Sequence, residues 1–534
     1  MSLRDFELLE AIRRDDLAYV LTTRYEKPLE GLLSDDTPNL FLQFPSPMMV
    51  AAYFGSIKSA GGNLVIFNYF SKTPELYDLK DSGGNTPLHY AAKYGRISIV
   101  QKICSQAESI SQQNKQGFTA SHFAAASGNL PIIKILRDSG DQLVTRNAVE
   151  WTPIHFALKY KHRDVVEYLA RNNALIIGDF DDFASIFHLA TATNDQVIVQ
   201  TLLEHGFGFD NTNHNGWNFL HFAISNGHEN IVEMVLSTLS EPILRRGDIY
   251  QRTAMHHAAI NGQLHIIQIL DSLGFDLYHD RDKFGKTPLH YAAELGHLRT
   301  LKFLLTKIGI NEKDRAGQTP LHLAVANNNY DVVCTLLNDK EHIEINITDY
   351  QNRTPLYLGV ENGHKKIVKL LISNNADITI LPSDKRSLIT MAVITRNNGM
   401  LKYLCSLPNI DVFSPDVNKW TPAHYAAQLG EELMMQDFFK IDPSSLSAVD
   451  FKDRNPLHLA SIWNQYKIIE FYNDSNDTLF NEKDSDGNTP LHLAVKRGNV
   501  QIARYLVSST NSDLNIQNNE GILFFIFLIK LLFI

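Results

Sequence analysis

Cysteine is scarce in this chain. Only Cys104, Cys334 and Cys405 occur in 534 residues, far apart and without a CxxC pair. That excludes a disulfide framework and makes a reducing intracellular compartment the simplest reading. Positive charge is never dense: 49 Lys and Arg face 59 Asp and Glu, a formal net charge of −10. Nucleic acid repels such a chain unless a local basic stripe exists, so no nucleic-acid partner is expected. The start, "MSLRDFELLEAIRRDD", is charged and amphipathic, unlike a secretory leader. Catalytic signatures are missing: no GxxxxGK[ST], no GxGxxG after a strand, no HExxH and no GxSxG.

What is present is repetition. With 44% apolar residues the chain is not a disordered one. The stretch "GNTPLHYAAKYG", Gly84 to Gly95, returns at a steady interval. Aligned on its Thr, the equivalent positions are Thr86, Thr119, Thr152, Ser185, Asn218, Thr253, Thr287, Thr319, Thr354, Ser387, Thr421, Asn455 and Thr489, in steps of 32 to 35 residues. All are Thr, Ser or Asn, side chains that accept the free N–H groups at a helix start. Pro follows in eight of them, where its missing N–H costs no intrahelical bond. Nine residues on stands a stop, Gly95, Gly128, Gly227, Gly262, Gly296, Gly363, Gly430 or Gly498, with Asn194, Asn328 and Asn464 elsewhere. These types tolerate the left-handed backbone that ends a helix. Lys161 and Arg396 break the rule, and strain or altered geometry is expected there. A second helix follows, with apolar residues at i, i+1 and i+4: Ile99, Val100 and Ile103, or Ile367, Val368 and Leu371. Turn-rich pieces such as "KDSGGN" and "EKDRAGQ" join the units as tight hairpin fingers. One such helix pair cannot bury its apolar face alone, but a stack of them can.

These residues resemble the ankyrin repeat family. "GKTPLHYAAELGHLRTLKFLL" (Gly285 to Leu305) and "GQTPLHLAVANNNYDVVCTLL" (Gly317 to Leu337) follow its consensus nearly throughout. The resemblance implies an all-α chain, an ankyrin-type α-solenoid of stacked helix-turn-helix repeats with hairpin fingers. It divides the chain into divergent capping helices at 1–45, a divergent repeat with an insertion at 46–80, an array of 13 registered repeats at 81–520, and an apolar tail at 521–534, about 14 repeats in all. It also implies a non-enzymatic, monomeric, cytoplasmic scaffold without cofactor or metal, whose protein partners lie against the concave face and the fingers.

Eleven of the 21 histidines fill the "TPLH" slot: His89, His122, His155, His188, His221, His256, His290, His322, His424, His458 and His492. They form a ladder of one per repeat, whereas catalysis needs partners that converge. Hydrogen bonding to the backbone or to a neighbouring repeat is therefore expected. Tyr357 and Thr390 replace the ring in two units, which are expected to be looser. The unit from Ser387, lacking Pro, His and the Gly stop, is the expected weak point. The cysteines, each on a second helix, are expected to be small buried residues. "EKDSDG" (Glu482 to Gly487) starts like a calcium loop, but its twelfth position is Leu493 instead of Glu, so it is a finger turn.

The position before each cap marks the fingertip side of a unit. Aromatic residues dominate early and cations later: Phe118, Trp151, Trp217, Arg252, Lys286, Arg353, Arg386, Trp420 and Arg454. Trp and Arg often anchor interfaces. Such side chains are also ordinary at this slot in the family resembled, and both readings stay open. If the column is a binding ridge, its partner is an extended segment with an apolar part and an acidic part.

The tail "GILFFIFLIKLLFI" falls short of the about 20 residues a membrane-spanning helix needs. It reads as a truncated gene prediction, as a cap on the last repeat, or as a membrane anchor. The first is preferred, because a bare apolar end is an aggregation hazard. The anchor reading connects to an alternative function, the cytoplasmic ankyrin portion of a membrane protein such as an ion channel.

Overall fold

The structure is a computed structural model. It describes residues 77–521 apart from 108, 173–185, 206–211, 214, 237–240, 476–478 and 509–511. The capping helices at 1–45, nearly all of the divergent repeat at 46–80 and the tail after Gly521 lie outside the described residues.

The regular elements among the described residues are helices, most of them in pairs that follow the expected register. Pro87–Lys93 is the first helix of one unit and Ile97–Cys104 its second; Pro288–Glu294 and Leu298–Leu304 are another such pair. Thr86 stands before its helix in extended backbone, φ −94° and ψ 169°. The imidazole does more at this cap than the cap rule requires. The Nδ1 atom of His89 accepts the Thr86 backbone N–H at 3.0 Å, so His replaces the Glu or Gln of a capping box. Thr119, Thr287 and Thr421 repeat the bond with His122, His290 and His424.

Helix ends follow the left-handed rule even where glycine is absent. Gly95 has φ 71°, and Lys161 and Arg396 have φ 61° and 54°. The altered geometry expected at those two does not occur. His162 N–H still reaches Ala157 O at 2.8 Å, and Asn397 N–H reaches Ala392 O at 2.9 Å, closing both helices in the standard way. The strain falls on the side-chain-bearing backbone alone. Glycine is demanded for a second reason at Gly128, where an added Cβ would lie 2.5 Å from the His162 ring.

Second helices bury the predicted stripe: Ile99, Val100 and Ile103 are at most 3% exposed, and Ile367, Val368 and Leu371 are fully buried. Each such side chain is worth about 1.5–3 kcal/mol. Their packing surfaces come from neighbouring units as well as their own. Pro87–Lys93 packs on Ala120–Ala126, which packs on Pro153–Lys159, and second helices pack on second helices likewise. Ala91, Ala92, Ala124 and Ala125 have no exposed surface, which lets these backbones approach.

The described residues group into two compact bodies. One runs to Ala258 and includes His265–Phe275; the other comprises Ala259–Leu264 and the chain from Asp276.

The cysteines depart from expectation. Cys104, Cys334 and Cys405 are free but only half-buried, because each stands one position after a stripe residue (Ile103, Val333 or Leu404) and so off the buried face of its helix. Burial still pushes the Cys405 thiol up to about 11, which keeps it protonated.

Candidate functional site

Most of the described fingers begin with an Asp or Asn, although the one before Ser387 begins with Pro382. In the finger at Asp282, one carboxylate oxygen accepts the backbone N–H groups of Phe284 and Lys286, both at 2.8 Å. The other accepts the Tyr291 hydroxyl at 2.6 Å, so the finger is tied to the first helix it precedes. Asp416 does the same with Asn418, Trp420 and Tyr425. Asn147 holds Val149 and Trp151 in the first body. The turn then passes through a left-handed residue, Gly285 at φ 74° or Lys419 at φ 58°. Consecutive tips are joined by a backbone bond: Ala148 N–H to Gln116 O at 2.9 Å, Arg315 N–H to Phe284 O at 2.9 Å and Tyr350 N–H to Ala316 O at 3.0 Å.

The histidine ladder locks the next finger to its own unit at His89, His122, His290, His322, His424 and His458, whereas among the described residues His188 has no hydrogen-bond partner at either ring nitrogen and His221 none at Nε2. Since Nδ1 accepts, the ring proton sits on Nε2, which donates to the carbonyl just before the next cap. His89 reaches Phe118 O and His122 reaches Trp151 O, both at 2.9 Å. His322 reaches Arg353 O at 3.1 Å and His424 reaches Arg454 O at 2.9 Å. Burial pushes these rings down: His89, His122, His290, His322 and His458 titrate near 4, the carbonyl bonds opposing only in part. The neutral ring is what the bonding pattern needs.

The nine candidate residues therefore sit at the bases of the fingers, and all nine are half-buried. In the first body Phe118, Trp151 and Trp217 are packed against other rings, while Arg252 is ion-paired. Phe118 lies 5.5 Å from Phe123 and 5.3 Å from Phe156 by centroid. Trp151 lies 5.2 Å from Phe156, with Lys159 Nζ 5.3 Å from its ring. Trp217 meets Phe222 at 5.2 Å and His257 at 4.9 Å. The cations are ion-paired within their own unit. Arg252 meets Asp248 at 2.7 Å, Lys286 meets Glu294 at 2.6 Å, Arg353 meets Asp349 at 2.9 Å, and Arg454 meets Asp450 at 2.6 Å. Arg386 bonds the Tyr425 hydroxyl at 3.2 Å, and Trp420 Nε1 bonds Asp450 at 3.1 Å. Burial alone would raise the Asp450 carboxyl, but hydrogen bonds from Arg454 outweigh it and hold it below the usual carboxylate range.

Two columns carry weight that the repeat pattern did not reveal. The finger Asp or Asn recurs in every quoted turn, yet its role appears only once its oxygens are seen on the backbone. The other column follows the stop. His162 Nε2 reaches back to Ala126 O at 3.0 Å, His364 to Ala326 O at 3.1 Å, and Asn499 Nδ2 to Ser461 O at 2.7 Å. Units are thus bonded forward at the finger and backward at the helix–helix turn. The signal was a polar side chain recurring one position after each stop.

Among the described residues no group of three His, Cys, Asp or Glu is placed to hold a metal ion. No described helix is long and apolar enough to cross a membrane.

The profile "Ankyrin repeats (3 copies)" matches residues 106–181, 187–279, 240–314, 256–349, 309–382 and 434–518, and "Ankyrin repeat" matches 83–115. The putative ankyrin repeat protein FPV223 of Fowlpox virus (strain NVSL) is 32% identical over 125 residues, 23% of this chain and 85% of that protein. Human inversin is 26% identical over 278 residues, 50% of this chain and 22% of inversin. Human transient receptor potential cation channel subfamily A member 1 is 30% identical over 132 residues, 24% of this chain and 12% of the channel.

Proposed function

The chain belongs to the ankyrin repeat family, and on that premise we propose that it is a non-enzymatic scaffold that binds partner proteins through its first helices and fingers. One observation carries the reading. The recurring group able to do acid–base chemistry is the first-helix histidine, and at His89, His122, His322 and His424 both ring nitrogens are committed to their own cap and to the next unit's backbone. What remains for function is a rigid, recurrent surface, and rigidity of that kind favours binding because little is lost on ordering. The nine finger-base residues contribute the exposed flanks of their rings and guanidinium groups, and they set the angle at which each finger stands.

Charge reversal at the base is a poor binding test, because Glu at position 353 would face the buried Asp349 carboxylate 2.9 Å from the present guanidinium. Trp151→Ala and Trp420→Ala are better probes. Affinity purification with the intact chain as bait is expected to recover protein partners whose yield falls in the Trp variants while the melting profile keeps its cooperativity. Recovery unchanged by both variants would remove the finger bases from the interface.

A second reading is the cytoplasmic part of a channel. The partial match to the human cation channel favours it, since 24% of this chain aligns with 12% of that protein. A transcript extending past Ile534 into further apolar segments would support it, and a stop codon there would oppose it.

A further inference from the structure

The cations at the finger bases are neutralised, but those at the fingertips of the second body are not. Lys283, Lys419 and Lys452 are exposed and form no ion pair with a described residue. Three exposed rings stand on the turns of the same row: Phe284 at 51%, Tyr350 at 72% and Phe451 at 63% exposure. Soluble proteins rarely align large apolar side chains in an exposed row without a use for it. Lys419 Nζ lies 4.9 Å from the Phe451 ring, so cation and aromatic share one surface. Acids are fewer there. Asp384 is held by Arg386, which leaves Asp453 and Asp486 as the exposed tip carboxylates.

The row is also preorganised. Backbone bonds join Phe284 to Arg315, Ala316 to Tyr350, Gln351 to Ser383 and Asp384 to Val417, so that four of the five steps are tied. A row fixed in advance loses little freedom when a partner settles on it.

We propose that the fingertip row of the second body, from Lys283 to Lys452, binds an extended acidic peptide segment that carries aromatic or aliphatic side chains. This rests on the scaffold reading and names its partner's chemistry. Ammonium groups that form no ion pair among the described residues call for carboxylates, and exposed rings call for apolar side chains. The length follows from the architecture. Packed helices lie about 8–10 Å apart, so the five finger steps from Phe284 to Phe451 span about 40–50 Å. An extended chain at roughly 3.3 Å per residue covers that distance in about 12–15 residues.

The test is selection of displayed random peptides of about 16 residues, with the intact chain as bait. Selected peptides are expected to be rich in Asp and Glu interspersed with Phe, Tyr, Leu or Ile. Their affinity, read by fluorescence anisotropy, should fall at least about tenfold in the Phe284→Ala/Tyr350→Ala/Phe451→Ala variant. It should fall similarly in Lys283→Glu/Lys419→Glu/Lys452→Glu, and it should weaken with added salt in the parent chain but not in that variant. These side chains are exposed, so both variants should melt with the parent. Basic or featureless selected peptides, no selection at all, or affinities untouched by both variants would overturn the proposal. So would capture of phosphatidylserine vesicles in place of peptide. Affinity purification that recovers no partner dependent on Trp151 or Trp420 would instead strike the scaffold reading, so the two failures are distinct.

Discussion

The fingers at Phe118, Trp151 and Trp217 and those at Lys286, Arg353 and Arg454 face one mechanical problem and meet it with different chemistry. Each finger must be held at a fixed angle to the helix that follows. In the first body rings do this, Phe156 lying within 5.3 Å of both Phe118 and Trp151 by centroid. At Arg353 and Arg454 of the second body charges do it, Arg353 gripping Asp349 and Glu361 and Arg454 gripping Asp450, although Arg252 of the first body also grips Asp248 and Trp420 of the second packs on Tyr425. The backbone frame beneath is shared: the finger Asp or Asn, the left-handed tip, and the imidazole that reaches the next carbonyl. Identical frames with different fillings should respond alike to what attacks the frame and differently to what attacks the filling.

Acid attacks the frame and is expected to have the largest effect. Unfolded histidine titrates near 6.5, whereas the ladder rings titrate near 4 when folded. Their folded value is depressed, so the unfolded chain takes up protons first as pH falls. The ladder's contribution is complete above about 6.5 and is lost progressively down to about 4, at a few kcal/mol for each ring. Melts followed by circular dichroism at steps from pH 7 to pH 4 should fall for both bodies together. A melting temperature that holds to pH 4 would mean that the rings are not the neutral donors their bonds imply.

Next comes the filling. Phe156→Ala removes a ring packed against Phe118, His122 and Trp151, and should cost about 3–5 kcal/mol with no dependence on salt. Arg353→Ala leaves Asp349, whose side chain is 1% exposed, with backbone donors only, and should cost about 1–3 kcal/mol. The Arg353 guanidinium is partly exposed, so added salt should shrink that difference. Equal salt responses from the two variants would collapse the contrast between the bodies.

How much of this was open to sequence reading can be traced through particular residues. Thr86, Pro87, His89 and Gly95 act within one unit, so their register predicted the helix, its cap and its end. The partner of His89 lies 29 residues away on the Phe118 carbonyl, an atom every residue carries. Sequence could therefore propose a structural ring but not name its acceptor. The finger-base cations misled for a similar reason. Arg353 and Asp349 are four apart in a turn, and only the fold shows that the carboxylate is buried and aimed at the guanidinium. The expected looseness near Ser387 gains a physical content. Thr390 is fully buried and bonds only locally to Ser387, so that unit lacks the ring's forward bond to the next finger. Thr390→His should restore it and add about 1 kcal/mol, read as slower amide exchange over residues 387–405.

The smallest expected effect bears most directly on the shared frame. Lys161 belongs to the first body and Arg396 to the second, and both end a first helix in left-handed backbone, φ 61° and 54°. That conformation costs an L-residue about 1–2 kcal/mol, of which glycine's extra freedom in the unfolded chain gives back part. Lys161→Gly and Arg396→Gly should therefore each stabilise the chain by about 0.5–1 kcal/mol. The helix-closing bonds next to them, His162 N–H to Ala157 O and Asn397 N–H to Ala392 O, are nearly equal in length. The gains should accordingly match between the bodies, whatever fills the finger bases. A gain in one body and a loss in the other, measured by denaturant melts of the intact chain, would show that the frames themselves differ, and the contrast drawn from Phe156 and Arg353 would have to be traced to the backbone instead of the side chains.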